Sequence, residues 1–136
     1  MRSKLFIVVY LILALAGLVS AATYYLTFKS ESYVVDNHIT ISPKNHEFNI
    51  STGGYHIKQI EISNNGNDRD IYFEYTVEGP SPDKVHVSFH RQNGTKISSS
   101  NKLHIKNGET VSVNVHYSVD DDAEKGKYTI YIEIRE

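Results

Sequence analysis

The chain has 136 residues, with 14 lysines and arginines against 16 aspartates and glutamates, so its formal net charge at pH 7 is −2. This balance gives no basic footprint, which argues against nucleic acid as a partner. Cysteine is absent, which excludes disulfides and cysteine lipidation and fits a prokaryotic cell surface better than a disulfide-stapled animal ectodomain.

The first predicted element is an export segment. Arg2 and Lys4 precede an unbroken apolar run at 5–19, which predicts an N-terminal hydrophobic helix that sends the rest of the chain outward. Two fates are open for residues 1–26. Small residues at 20–22 suit signal-peptide cleavage near Ala22, whereas a helix continuing through Leu26 is long enough for a transmembrane anchor. The domain is therefore expected outside the cytoplasm, on the cell membrane or secreted to the cell surface.

Residues 27–35 are polar and predict a linker, and residues 36–136 then predict one domain of normal size. Within it, strand-like runs are separated by Gly-, Pro- and Asn-rich turns, whose positive or fixed φ ends strands. The runs are 38–42, 46–50, 55–63, 71–78, 85–90, 102–105, 110–119 and 127–135. Seven or eight short strands in about 100 residues predict an all-β fold, an immunoglobulin-like antiparallel β-sandwich following the N-terminal helix.

In most of these runs the apolar residues share one parity, that is, they occupy either the odd or the even positions, as in strands with one buried face. One run changes phase, because Tyr55 and Ile57 share one parity and Ile60 and Ile62 share the other. A β-bulge, which adds one extra residue to a strand, would bring both sets of apolar residues to the core face. The sequence therefore predicts a β-bulge at 58–59.

Three segments carry a resemblance to a known family: Asn64-Asn65-Gly66-Asn67, Asn107-Gly108-Glu109-Thr110-Val111 and Ala123-Glu124-Lys125-Gly126-Lys127-Tyr128. Together they resemble the NPCBM-associated and CARDB-type domains of prokaryotic surface proteins and glycosidase accessory regions. The resemblance covers roughly residues 57–134, in one copy, and implies an Ig-like surface module. Independently, Gly126 permits a turn, and Tyr128 can bury its ring while its hydroxyl bonds the loop backbone, as in a tyrosine corner.

Candidate chemistry is sparse. Of the seven histidines, His86 and His90 are separated by about 13 Å if they share a strand, too far for one ion. A cross-strand histidine pair could approach closely enough for zinc, but solvated histidines are the expectation, so no metal is predicted. The acidic segments 120–124 and 64–70 match no calcium-loop pattern. No nucleophile elbow and no cysteine nucleophile occurs, so neither an enzyme nor a cofactor is expected.

Four residues remain as candidate sites. Asn49 and Asn93 each begin an Asn-x-Ser/Thr sequon and are candidate glycosylation sites in an exported chain. Tyr72 and Tyr131 fall on outward parities, where a carbohydrate-binding module presents stacking rings. Sugar is a less favoured partner, because tyrosines on sheet surfaces are ordinary.

Three functions compete. The favoured one is a non-catalytic extracytoplasmic Ig-like module for cell-surface interaction or structure, with protein partners or copies of itself. The second is a subunit of a surface filament or matrix. In this case residues 24–35, freed by cleavage near Ala22, would add as a strand to the open sheet edge of a neighbour. The third is a carbohydrate-binding accessory module.

Overall fold

The computed structural model describes residues 26–34 and 38–136, which form two β-sheets packed face to face. The strands are β1 Leu26–Val34, β2 Ile39–Ser42, β3 Asn45–Ile50, β4 Tyr55–Asn64, β5 Arg69–Glu78, β6 Val85–Arg91, β7 Leu103–Ile105, β8 Thr110–Val119 and β9 Lys127–Arg135. A single 3-10 turn, Pro82–Lys84, precedes β6. The predicted all-β sandwich is confirmed.

The first sheet has the strand order β3-β1-β9-β5-β7, and the second has the order β2-β4-β8-β6. Paired strands run antiparallel, except that β1 runs parallel to β9. The core fills the space between the sheets. In β9, for example, Tyr128, Ile130, Ile132 and Ile134 are buried and alternate with more exposed residues, which is the period-two pattern of a strand with one face on a core.

The turn before β9 forms the predicted tyrosine corner. Tyr128 is buried, and its hydroxyl donates to the carbonyl of Glu124 and lies 2.9 Å from Oγ of Ser81. Gly79 packs against the ring, so that a Cβ added there would lie 2.3 Å from a ring carbon. This tyrosine therefore joins two loops at one end of the sandwich.

The predicted linker at 27–35 is corrected by the structure, since Leu26–Val34 is a strand of the first sheet. Leu26, Phe28 and Ser30 are buried, and the positions between them are exposed or less buried. The alternation was hidden in the sequence because an inward position carries serine. Among the described residues, the sandwich therefore extends back to Leu26, ten residues before the predicted boundary at residue 36.

The predicted β-bulge at 58–59 is also wrong. The pairing of β4 with β8 runs one residue to one residue from Tyr55 to Ser63. The exposed fractions of Tyr55 and Ile57 are 76% and 47%, and His56 takes the inner parity in their place. This arrangement is stable because the His56 ring stacks on Phe48 with ring centroids 4.2 Å apart, so an imidazole takes the inner face that the bulge would have given to Tyr55 and Ile57.

The predicted export helix and its cleavage site near Ala22 lie outside the described residues. Within 26–34 and 38–136, no helix has the length and apolar character needed to cross a bilayer.

Candidate functional site

Strand β1 lies in a slot between β3 and β9. It pairs antiparallel with β3 from Leu26 to Glu31 and parallel with β9 from Thr27 to Val34. At the start of the slot, the Thr27 amide donates to the carbonyl of Gly126 at 3.0 Å. In this sheet β3 reaches β9 only through β1. We call this position the β1 slot.

Aromatic side chains hold β1 in the slot. Phe28 is fully buried and stacks between Phe48 and Tyr128, with both ring centroids 5.1 Å from its own. Phe48 in turn packs against Tyr117 of the opposite sheet at 4.8 Å. Stacked rings at these separations stabilise beyond the burial of their area. Phe28 thus connects β1 to three other strands through direct or successive ring contacts.

One buried hydrogen bond joins β1 to the opposite sheet. Ser30, which is 2% exposed, lies with its Oγ 2.9 Å from the Tyr117 hydroxyl. Burial raises the pKa of Tyr117 to about 12, although the bond to Ser30 acts in the opposite direction. Tyr117 is therefore a neutral phenol at any ordinary pH, and the pair satisfies two polar groups inside the core.

Two histidines extend the aromatic cluster beneath the slot. The ring of His46 lies 5.1 Å from Phe48 and 5.8 Å from His56. Nε2 of each histidine is buried without a hydrogen-bond partner among the described residues. Burial, with smaller effects from His56 and Lys58, lowers the pKa of His46 to about 4, and burial also lowers the pKa of His56. Both imidazoles are therefore neutral near pH 7.

The outer face of the same sheet carries a pair of stacked tyrosines, one exposed and one half-buried. Tyr33 of β1 is 51% exposed and stacks on Tyr131 of β9, with centroids 6.0 Å apart. A shallow open groove of about 260 Å³ lies beside the two rings, and Glu74 and Arg135 are among the residues that line it. We call this surface the tyrosine face.

Charged groups of both signs surround the tyrosine face. Glu31 accepts hydrogen bonds from Lys29 at 2.8 Å and from the Tyr33 hydroxyl at 2.6 Å. The bond to Lys29 lowers the pKa of Glu31, and the bond to Glu31 raises the pKa of Tyr33. Arg135 pairs with Glu74 at 2.9 Å. The Tyr33 hydroxyl is therefore held by a carboxylate, Glu31, whose lowered pKa keeps it charged at neutral pH.

The two predicted stacking residues lie on the outer face of this sheet but do not share a platform. Tyr72 is opposite Arg135, whereas Tyr131 is opposite Thr76, four positions farther along β5, or about 13 Å. The ammonium group of Lys102 lies over the Tyr72 ring, 5.6 Å from its centroid. Tyr131 instead pairs with Tyr33, which lies in the predicted linker. Because that segment was not assigned to the sandwich, the alternation of residues along the strands could not bring these two rings together.

Both predicted sequon asparagines are exposed. Asn49 lies on β3, opposite Thr27 of β1. Asn93 lies in the turn after β6, where its side-chain oxygen accepts bonds from the amide and the hydroxyl of Thr95 at 3.0 and 2.7 Å. Both side chains are thus sterically accessible to a modifying enzyme, and their glycosylation stays a prediction.

The histidines predicted to face solvent form one cross-strand pair, since the rings of His90 and His116 lie 4.1 Å apart. Nε2 of His90 is 2.9 Å from Oγ of Ser88. Within the described part of the chain, no group of three or more His, Asp or Glu side chains is arranged to hold a metal ion. In the acidic turn, Asp120 pairs with His86 and Asp122 pairs with Lys84.

Comparison with known proteins gives the family. The family model described as "RbmA-like, FnIII domain" matches residues 38–136. An Archaeoglobus fulgidus protein described as "Uncharacterized protein" is 39% identical over 142 residues, covering all of both chains. The Ig/fibronectin-like class of surface module is thereby confirmed, and the finer likeness to NPCBM-associated and CARDB-type domains stays a prediction. Strand β1 lies before the matched residues. The chain belongs to the RbmA-like FnIII family, whose members are associated with protein–protein contacts and self-assembly in the extracellular matrix or at the surface.

Proposed function

We propose that this protein is a non-catalytic, extracytoplasmic surface or matrix module that works through protein contacts, including contacts between its own copies. The family supports a structural or adhesive role. The observation that carries the proposal is the tyrosine face, because exposed Tyr33 and half-buried Tyr131 are stacked beside Arg135 on an open sheet surface. Tyrosine and arginine are enriched where protein interfaces gain most of their binding energy.

The shape of this surface favours a protein over a sugar. The groove is open, and carboxylates and a guanidinium already paired with each other surround the rings. Charged groups around a pair of aromatic rings are typical of the polar rim of a protein interface. A sugar platform built from Tyr72 and Tyr131 together is disfavoured, because the two rings belong to different register positions and Lys102 lies over one of them.

A second candidate function, a subunit of a surface filament or matrix, is favoured by β1. This segment adopts the strand that the hypothesis requires, and it fills the slot of its own chain. The two candidates agree on location and on the absence of catalysis, and they differ in the contact that joins the copies.

The proposal is tested by protease treatment of intact cells, followed by vesicle clustering with the purified full-length chain. We expect the chain to be cleaved from outside. Attached to vesicles through a C-terminal His-tag and a nickel-chelating lipid, so that the result does not depend on whether residues 1–26 are cleaved, it should cluster them. Tyr33→Ala and Tyr131→Ala should each weaken clustering about 5- to 30-fold, the range for truncating an interface anchor. Tyr72→Ala, on the same sheet face, is the matched control and should have little effect. Resistance to external protease contradicts the location. Glycan binding abolished by Tyr131→Ala favours the carbohydrate module.

A further inference from the structure

We propose that β1 is an exchangeable strand, which fills the β1 slot of a second copy of this chain and thereby joins the copies. The inference rests on the proposed function as a self-associating surface module. It names the partner, a second copy, and the segment that each copy contributes, residues 26–34.

The slot belongs to the part of the chain that the family model matches, but its occupant does not. Both walls, β3 and β9, lie within residues 38–136, whereas β1 precedes them. Without β1, the sheet order β3-β1-β9 leaves two strand edges with unpaired backbone groups and exposes the ring of Phe48. Open edges of this kind accept an added strand from another chain.

The contacts of β1 do not depend on its covalent connection to the domain. On the inner face, Phe28 contacts Phe48 and Tyr128, and Ser30 contacts Tyr117. These partners are at least 20 positions away in the sequence. An identical strand from a second copy therefore supplies the same contacts, and the free energies of the two arrangements differ only through the connecting segment and the gain from joining copies.

On the outer face of β1, several side chains bond to other residues of β1 itself. Lys29 and Tyr33 both bond Glu31 within the strand, so these interactions move with β1 when it changes copies. The stack of Tyr33 on Tyr131 and the weaker electrostatic interaction of Lys29 with Glu47 must be rebuilt in the acceptor. Within the described residues, β1 is joined to the rest of the sandwich only through residues 35–37, and exchange of an identical element between chains is a low-cost route to assembly.

The chain contains no cysteine, so a disulfide between two engineered cysteines reports which chain occupies the slot, without competition from native thiols. The Ser32 amide donates to the carbonyl of Lys44 at 2.7 Å, which makes that position a hydrogen-bonded pair. Because pair types alternate along antiparallel strands, Lys29 and Glu47, which lie opposite each other, form a non-hydrogen-bonded pair with the shortest Cα separation, about 4.5 Å. Both side chains are exposed, and this spacing suits a disulfide.

The experiment co-expresses two differently tagged full-length chains, one carrying Lys29→Cys and the other Glu47→Cys. After mild oxidation, we expect a covalent heterodimer on a non-reducing gel. Its yield should exceed that of Lys29→Cys with Glu61→Cys, an exposed position on β4 of the other sheet, on the order of tenfold or more, since slot occupancy gives a high effective concentration. Adding Phe28→Ala to the Lys29→Cys chain should remove the excess, because the strand loses its anchor.

The double variant Lys29→Cys/Glu47→Cys shows where β1 resides. A covalent dimer supports reciprocal exchange, in which two copies fill each other's slots. A series of larger covalent species supports serial exchange, in which each copy fills the slot of the next. A disulfide formed entirely within single chains, with no heterodimer above the control from the mixed single variants, overturns the inference. If vesicles still cluster in that case, the surface-module function stands and only the exchange fails. If clustering is also absent, both fail.

Discussion

Truncating the aromatic anchor of β1 by Phe28→Ala should destabilise the whole sandwich. Phe28 is fully buried, and two rings stack on it at 5.1 Å. Removing a buried phenylalanine costs about 3–5 kcal/mol, through the lost transfer free energy and the cavity left behind. Aromatic stacking adds to this cost, and we therefore expect a value in the upper half of the range. Since domains of this size have an unfolding free energy of about 5–15 kcal/mol, the variant should fold but with a small margin.

The measurement is urea unfolding of the full-length chain in mild detergent, followed by tyrosine fluorescence. Phe28→Ala should lower the midpoint without changing the m value, because β1 unfolds together with the domain. Thr27→Ala is the matched control, an exposed position on the same strand, where a loss below about 1 kcal/mol is expected from strand propensity. A loss for Phe28→Ala equal to that of the control, or a separate early transition, would show that β1 is not part of the cooperative core.

Three further outcomes are expected from the described contacts. Asn64→Ala should lower the unfolding free energy by about 2–3 kcal/mol, because its buried amide bonds two carbonyls and accepts from one amide. Tyr128→Phe should cost about 1 kcal/mol by removing the hydroxyl bonds of the tyrosine corner. Stability should fall as the pH drops from about 6.5 towards 4, because burial, with smaller effects from His56 and Lys58, lowers the pKa of His46, so that the unfolded chain binds more protons than the folded one. His46→Phe should flatten this dependence.

Each of these outcomes has a contrary result. Wild-type stability in Asn64→Ala would mean that water replaces the lost amide. An unchanged midpoint in Tyr128→Phe would show that ring burial alone holds the corner. A pH profile of His46→Phe that is parallel to wild type would assign the acid sensitivity to other groups. Urea midpoints measured at several pH values distinguish these cases.

Most of the sandwich could be predicted from the sequence because its strands alternate cleanly and its turns contain Gly, Pro or Asn. The place of β1 within its own sandwich could not be predicted, because Ser30 is an inward residue whose partner is a distant hydroxyl, on Tyr117, and a polar residue at an inward position makes the segment resemble a linker. The phase of β4 failed for a related reason, because His56 replaces an aliphatic residue through ring stacking. Pattern rules treat serine and histidine as solvent-facing, whereas tertiary contacts can bring both inside.

The candidate site was partly predictable. Parity alone placed Tyr131 and Tyr72 outside, but the neighbour of each ring depends on strand order and register, which one sequence does not reveal. The stack of Tyr33 on Tyr131 requires that the first and last strands be adjacent and parallel. A contact of this kind between the two ends of the sandwich has no local signature in the sequence.

The parallel pairing of β1 with β9 also has a mechanical consequence. Leu26, the first described residue, lies at the end of the sandwich where β9 starts, whereas Glu136 lies at the opposite end. Tension between these two ends therefore pulls the paired strands along their length in opposite directions. All eight register positions between Thr27 and Val34 then carry the load in shear at the same time, rather than opening one after another. The parallel pair of β1 and β9 therefore also resists mechanical force.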